Sequence, residues 1–165
     1  MQTPEIIDAP ERLFVGMRIT TCHAENRTFE LWRGFKPRVR EIAARLDANF
    51  ISVQIFAAGQ NFAEFTPQTI YEKWAAVEVD EPAEIPDGME LLTIPAGKYA
   101  VFVHRGLPQD FPKTNAFIHG VWMPASPFRL DARPHFEVMA PDYRADDPDA
   151  QEAVWVPVRF VADSD

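Results

Sequence analysis

The acid in Pro134-His135-Phe136-Glu137-Val138-Met139 has more chemistry open to it than any other side chain of this sequence. The run reads as a β-strand, in which successive side chains point to opposite faces. Parity groups Glu137 with His135 and Met139, and sets Phe136 and Val138 on the other side. On the strand alone Glu137 reads as a solvent-facing acid at a sheet edge. Turned inward it would be a carboxylate in a dry pocket, which is costly unless a cation pairs with it. The same desolvation would tune it toward giving and taking protons. Four tryptophans, Trp32, Trp74, Trp122 and Trp155, need a core or a pocket to hold them. A cation over such a ring face gains ~0.5–2 kcal/mol.

Other chemistries lack their patterns. His23, His104, His119 and His135 contain no pair at the i, i+4 spacing of a helical zinc site, so no metal is expected. Neither Cys22 nor Ser126 sits in a nucleophile elbow. Pro95-Ala96-Gly97-Lys98 is a turn too poor in glycine to cradle phosphate, and no cofactor is expected. Arg33, Lys36, Arg38 and Arg40 read as the solvated face of a helix.

The chain that must position these groups has 165 residues, 47% apolar and 25% charged. That is the size of one domain and enough to bury a core without staples. Sixteen basic against 25 acidic residues leave a net charge of −9, which repels nucleic-acid phosphates and anionic membrane surfaces alike. One cysteine excludes an internal disulfide and fits a reducing compartment. Met1 to Glu5 lacks the features of a signal peptide, and no window approaches the ~18 apolar residues of a membrane span. A soluble, cytoplasmic protein is expected, without direct nucleic-acid or membrane partners.

Hydrophobic patterning orders the elements. Arg12 to Thr21 reads as a strand. A helix follows from an N-cap at Thr28, with Leu31, Phe35, Val39, Ile42 and Leu46 at helical spacing, and Pro37 is expected to kink it or shorten its regular part. Ile51 to Phe56 and Tyr71 to Val79 read as strands, the second with Tyr71, Lys73 and Ala75 on one face and Trp74 on the other. After an acidic linker, strands at Met89 to Pro95 and Lys98 to His104 precede a helix over Asp110 to Trp122. Strands at Pro134 to Met139 and Ala153 to Phe160 follow, then a frayed tail from Ala162 to Asp165. Strand, helix and two strands are thus written twice, with Gln54 aligned on Glu137 at an offset of 83 residues. Such a repeat predicts an α+β fold: two βαββ units in a curved antiparallel sheet, two helices on one side, and a ligand cleft along a pseudo-twofold axis.

The runs LWRGFKPRVREI, ISVQIF and YEKWAAVEV, then IPAGKYAVFVHRG, IHGVWMPAS, RPHFEVMAPDY and AVWVPVRF, resemble the GyrI-like family. This is the effector-binding domain of bacterial transcription activators of the AraC and MerR types, and the likeness is strongest to stand-alone, integron-cassette-associated members. It covers about residues 11–160, as a single domain. The resemblance implies a central cavity lined by aromatics that takes lipophilic, often cationic compounds, held by a buried carboxylate that Glu137 matches. Trp74 and Trp122 are the first aromatic candidates, with Tyr71, Phe56 and Tyr99 behind them, Trp32 at the rim, and Trp155 and Gln54 completing the set. The sequence carries no helix-turn-helix module, so transcription activation by this chain alone is not expected. The expected function is binding of lipophilic cationic or aromatic molecules in sensing or sequestration, with a separate regulator or target protein as a further partner. Two alternatives stand beside it. One is a hydrolase of reactive, cyclopropane-type electrophiles with Glu137 as acid or base. The other is an inhibitor that clamps a target protein through acidic surface.

Overall fold

The computed structural model describes residues 2–163, so Met1 and the last two residues of the expected frayed tail, Ser164 and Asp165, lie outside the described residues. In chain order the elements are β1 (Glu5–Ala9), β2 (Arg12–Thr21), α1 (Thr28–Phe35), β3 (Phe50–Ile55), β4 (Tyr71–Val79) and β5 (Glu90–Ile94). The second half runs β6 (Gly97–Arg105), α2 (Phe111–Phe117), β7 (Phe128–Leu130), β8 (His135–Met139) and β9 (Gln151–Phe160). β2 and β4 have the bounds that the sequence reading predicts. β1 and β7 have no counterpart in the sequence reading.

Proline shapes both helices: Pro37 shortens the first, as expected, and the second departs from a regular helix before Pro124. α1 stops at Phe35 rather than Leu46. Pro37 offers no N–H and crowds the preceding turn, and the chain tightens into a 3₁₀ turn over Lys36–Glu41. Thr28 is not its cap. The N-cap is Arg27, while Asn26 Oδ1 accepts the Thr28 N–H at 2.9 Å. α2 opens into a π-helical turn, Ile118–Trp122, before a last α-turn, Met123–Ala125, in which Pro124 removes one donor from the ladder.

The strands pair antiparallel in the order β5-β2-β4-β3-β8-β9-β6-β1, with β7 beside the far end of β9. The halves meet at β3 and β8. Each half lends its first strand to the other, since β1 pairs β6 and β5 pairs β2. β1 and β5, β2 and β6, and β3 and β8 each begin 85 residues apart, at 5 and 90, 12 and 97, and 50 and 135. This corrects the offset of 83: the residue matching Glu137 is Ser52, and Gln54 lies one pleat away.

Both helices pack on one face of the sheet. Leu31 and Phe35 of α1 cover Val15, Ala75, Val77 and Val79, while Ile118 and Met123 cover Ala100, Phe102, Val154 and Val156. The opposite face closes on itself around Phe14, Val53, Trp74, Tyr99 and Phe136. Phe14 on β2 and Phe136 on β8 are three strands apart in sheet order, yet their ring centroids are 5.3 Å apart. Strands spaced ~4.8 Å apart bring those rings together only in a sheet strongly curled toward that face. Among the described residues no helix is long and apolar enough to cross a membrane.

Candidate functional site

Register orders the side chains on the floor between α1 and α2, where the central strands lie. On the helix-bearing face, one row across the central strands reads Ala75, Ser52, Glu137, Val154. One pleat to one side come Lys73, Gln54 and His135, and to the other Phe50, Met139 and Glu152. Glu137 is therefore central in the sheet as well as buried, with 8% of its surface exposed. The edge-strand reading fails because β8 is flanked on both sides, by β3 and by β9.

Burial disfavours the charged form and pushes Glu137 up to about 7, with Glu152 adding to the rise while Lys73 and Gln54 pull it back. Its Oε2 has no hydrogen-bond partner among the described residues. Glu152 is also raised by burial and pulled back by Lys73. Tyr143 is pushed up to about 12 by burial, then by the charges of Glu152 and Glu137. Tyr71 is raised by burial and by Glu137.

Aromatic rings gather at the His135 end of the floor. The loop after β3 carries Phe62 and Phe65 on a 3₁₀ turn, Phe62–Glu64, that Asn61 caps by accepting the Ala63 N–H at 3.0 Å. Phe56 lies 4.9 Å from Phe62, 5.9 Å from Phe65, 5.6 Å from Tyr71 and 5.1 Å from His135, ring centre to ring centre. Phe62 stacks on His119, which the π turn of α2 presents, at 6.0 Å. Burial, then His119, push His135 down to about 3, and burial lowers His119 as well. In both imidazoles burial works against the charged form, the one that would repel a cation.

The opposite end of the floor is already served. Trp32 packs against Phe50 at 6.0 Å. Lys36 Nζ lies 5.2 Å and Arg45 Cζ 5.4 Å from the Phe50 ring centre, and Lys36 also lies 6.0 Å from that of Trp32. No cation of the chain makes such a contact with Phe56, Phe62, Phe65 or Tyr71 among the described residues.

Of the residues singled out in the sequence, Glu137, Gln54, Tyr71 and Phe56 come together on this face. Trp74, Tyr99 and Trp155 do not, which corrects their placement in the cleft. They belong to the curled core on the other face, where Trp74 Nε1 donates to Glu72 at 2.6 Å and the Tyr99 hydroxyl donates to the Pro134 carbonyl at 2.8 Å. Parity on β4 already separated Trp74 from Lys73. Trp122 packs edge-on to Phe102 at 5.2 Å and stacks on Phe128 at 6.0 Å, under α2. Its free edge borders a shallow groove of about 300 Å³ that also touches Pro4 and Ile6. Sequence reasoning missed Phe62, Phe65, His119, Lys73, Tyr143 and Glu152 as site residues. Three phenylalanines in the stretch from Phe56 to Phe65 were a usable signal, since a solvated loop has no use for them.

A family model described as "GyrI-like small molecule binding domain" matches residues 2–159. The transcriptional regulator BrlR of Pseudomonas aeruginosa is 28% identical over 154 residues, 93% of this chain; the chain spans 54% of that regulator's length. The fold is similar to that of SAV2435 bound to tetraphenylphosphonium, with a TM-score of 0.67 and 18% identity over 96% of this chain and 94% of that one. An integron cassette protein from Vibrio cholerae, VCH_CASS2, shares the fold with a TM-score of 0.59 and 18% identity over 96% and 97% of the two chains.

Proposed function

The chain belongs to the GyrI-like small molecule binding domain family, and from that membership we propose that it takes up lipophilic cations with aromatic character in drug or effector sensing or sequestration. The observation that carries this reading is Glu137: buried at the centre of the sheet, one carboxylate oxygen without a partner, beside rings that no resident cation covers. A cationic centre over Glu137 would relieve the cost of the buried charge, and Phe56, Phe62, Phe65 and Tyr71 would each add cation–π and dispersion energy. Tetraphenylphosphonium on a protein of similar fold supports the same ligand class. Trp32 and Phe50 enter this reading as rim, since Lys36 and Arg45 hold their faces.

Isothermal titration with tetraphenylphosphonium tests it. Saturable binding that weakens tenfold or more in Glu137→Gln, about 1.4 kcal/mol, supports a charge-paired pocket. Absence of binding, or equal affinity in both proteins, sinks it. A buried carboxyl raised to about 7 is also suited to proton transfer near neutral pH, which favours hydrolysis of strained electrophiles as the second reading. Turnover of such an electrophile that Glu137→Gln abolishes would put that reading first.

A further inference from the structure

Three charged side chains share the floor of the cleft. Lys73 on β4, Glu137 on β8 and Glu152 on β9 project from the helix-bearing face along one diagonal: Lys73 is one pleat from the Ser52–Glu137 row in one direction and Glu152 one pleat in the other. Diagonal neighbours on adjacent strands such as Glu137 and Glu152 have their backbones ~7–8 Å apart, so a single extended ligand can reach both. Lys73 and Glu152 are half-buried and Glu137 is buried. The Lys73 ammonium makes no ion pair or hydrogen bond among the described residues, yet its charge acts on both carboxylates. Two acids and one ammonium leave the ionised floor with a net charge of −1.

We propose that Lys73 and Glu152 set the charge of the ligand: Lys73 is the resident counter-ion of a two-carboxylate floor, which restricts the site to one positive charge, and the floor becomes a dication site when Lys73 is neutralised. This rests on the reading above, because Glu137 is its centre. The same ammonium that attracts the carboxylates repels positive charge on the ligand, a dication more than a monocation, and in a half-buried setting that repulsion is only partly screened. Glu152 is the acid that a second cationic centre would meet.

The test is a set of calorimetric titrations at pH 9, above the value of about 7 to which Glu137 is raised. The probes are tetraphenylphosphonium as monocation and methyl viologen as flat aromatic dication. In Lys73→Met and Lys73→Gln, methyl viologen should bind about tenfold tighter than to wild type and tetraphenylphosphonium by a smaller factor, while Lys73→Arg behaves as wild type. Adding Glu152→Gln to Lys73→Met should cancel the dication gain and leave the monocation within about threefold. If wild type binds tetraphenylphosphonium but both neutral variants leave the dication-to-monocation ratio unchanged, this proposal falls alone. If wild type binds neither probe, the cation-binding reading falls and takes the proposal with it. Lys73→Gln keeps a polar head at the half-buried site, so it serves the test should Lys73→Met fail to fold.

Discussion

Ser52 and Glu137 are cross-strand partners on the β3–β8 ladder, and they occupy equivalent positions in the two halves of the chain. With β3 and β8 beginning at 50 and 135, the pseudo-twofold axis passes through this pair. The fold therefore writes one central position twice, with a hydroxyl in one half and a carboxylate in the other. Two carboxylates there would face each other at ~5 Å, a spacing at which like charges destabilise a sheet and one acid is driven to keep its proton. The asymmetry leaves a single acid at the axis, with the Gln54 amide donating to Ser52 Oγ at 3.2 Å beside it.

Cation affinity should rise with pH across the neutral range. Glu137 is held up to about 7, so below that pH a cation must displace a proton to bind. Affinity for tetraphenylphosphonium is expected to fall up to about tenfold per pH unit below 7 and to level off above 8. Titration at pH 6 in buffers of different ionisation enthalpy should reveal release of a proton. A flat profile from pH 5 to 9 would show that Glu137 is not the charge the ligand meets.

Glu137→Gln should stabilise the fold, and more so at high pH. The folded protein holds this proton up to about 7, whereas the unfolded chain loses it near the ordinary value of 4.5. Between those values the folded state binds more protons, so the contribution of Glu137 to stability falls as pH rises through that window and stays unfavourable above it. A shift of this size corresponds to roughly 3 kcal/mol. His135, held down to about 3, works in the opposite sense, its contribution being lost as pH falls from 6.5 toward 3. That effect is shared by both proteins and cancels in the comparison. Thermal melts should show the variant ahead of wild type by a wider margin at pH 8.5 than at pH 4.5. An equal margin at both would contradict a raised Glu137.

Ring deletions should separate the two faces of the sheet. Phe62→Ala and Phe65→Ala, on half-buried loop positions, are expected to weaken tetraphenylphosphonium by about fivefold to thirtyfold at little cost in stability. Trp74→Phe, in the core of the other face, should lower the melting temperature and leave affinity within about twofold. The reverse pattern would place the ligand in the curled core.

Gly16 marks where β2 and β4 approach closely. A Cβ built there would stand 2.0 Å from the Ala75 carbonyl oxygen and 2.7 Å from the Ala76 Cα, both backbone atoms that have no rotamer to give way. Gly16→Ala should cost about 1–3 kcal/mol, read as a lower denaturation midpoint. A neutral outcome would mean that the sheet is less tightly curled at this ladder.

Much of the scaffold was legible in the chain itself. Apolar, β-branched content drew β2 and period-two alternation drew β4 to the residue, and the strand-helix-strand-strand order written twice marked the halves, because an element that buries a face records it in its own sequence. The same alternation put Glu137 with His135 and Met139, and Lys73 opposite Trp74. What the pattern did not hold was anything that depends on a second strand. A one-dimensional alignment set Gln54 against Glu137, whereas hydrogen-bonded register sets Ser52 there, since pairing is decided by the ladder between halves rather than by local apolar order. Tryptophan type suggested a pocket, but the curl of the sheet claimed Trp74 and Trp155 for the core around Phe136, a choice made only when distant strands close on one another. Phe62 and Phe65 lie in a loop without period, and only the return of β4 beside β3 brings them to Tyr71 and His135. Residue identity and local period fixed the parts and their faces; neighbours far apart in the chain decided which face became a cleft, because burial and charge pairing are properties of contacts that no single segment contains.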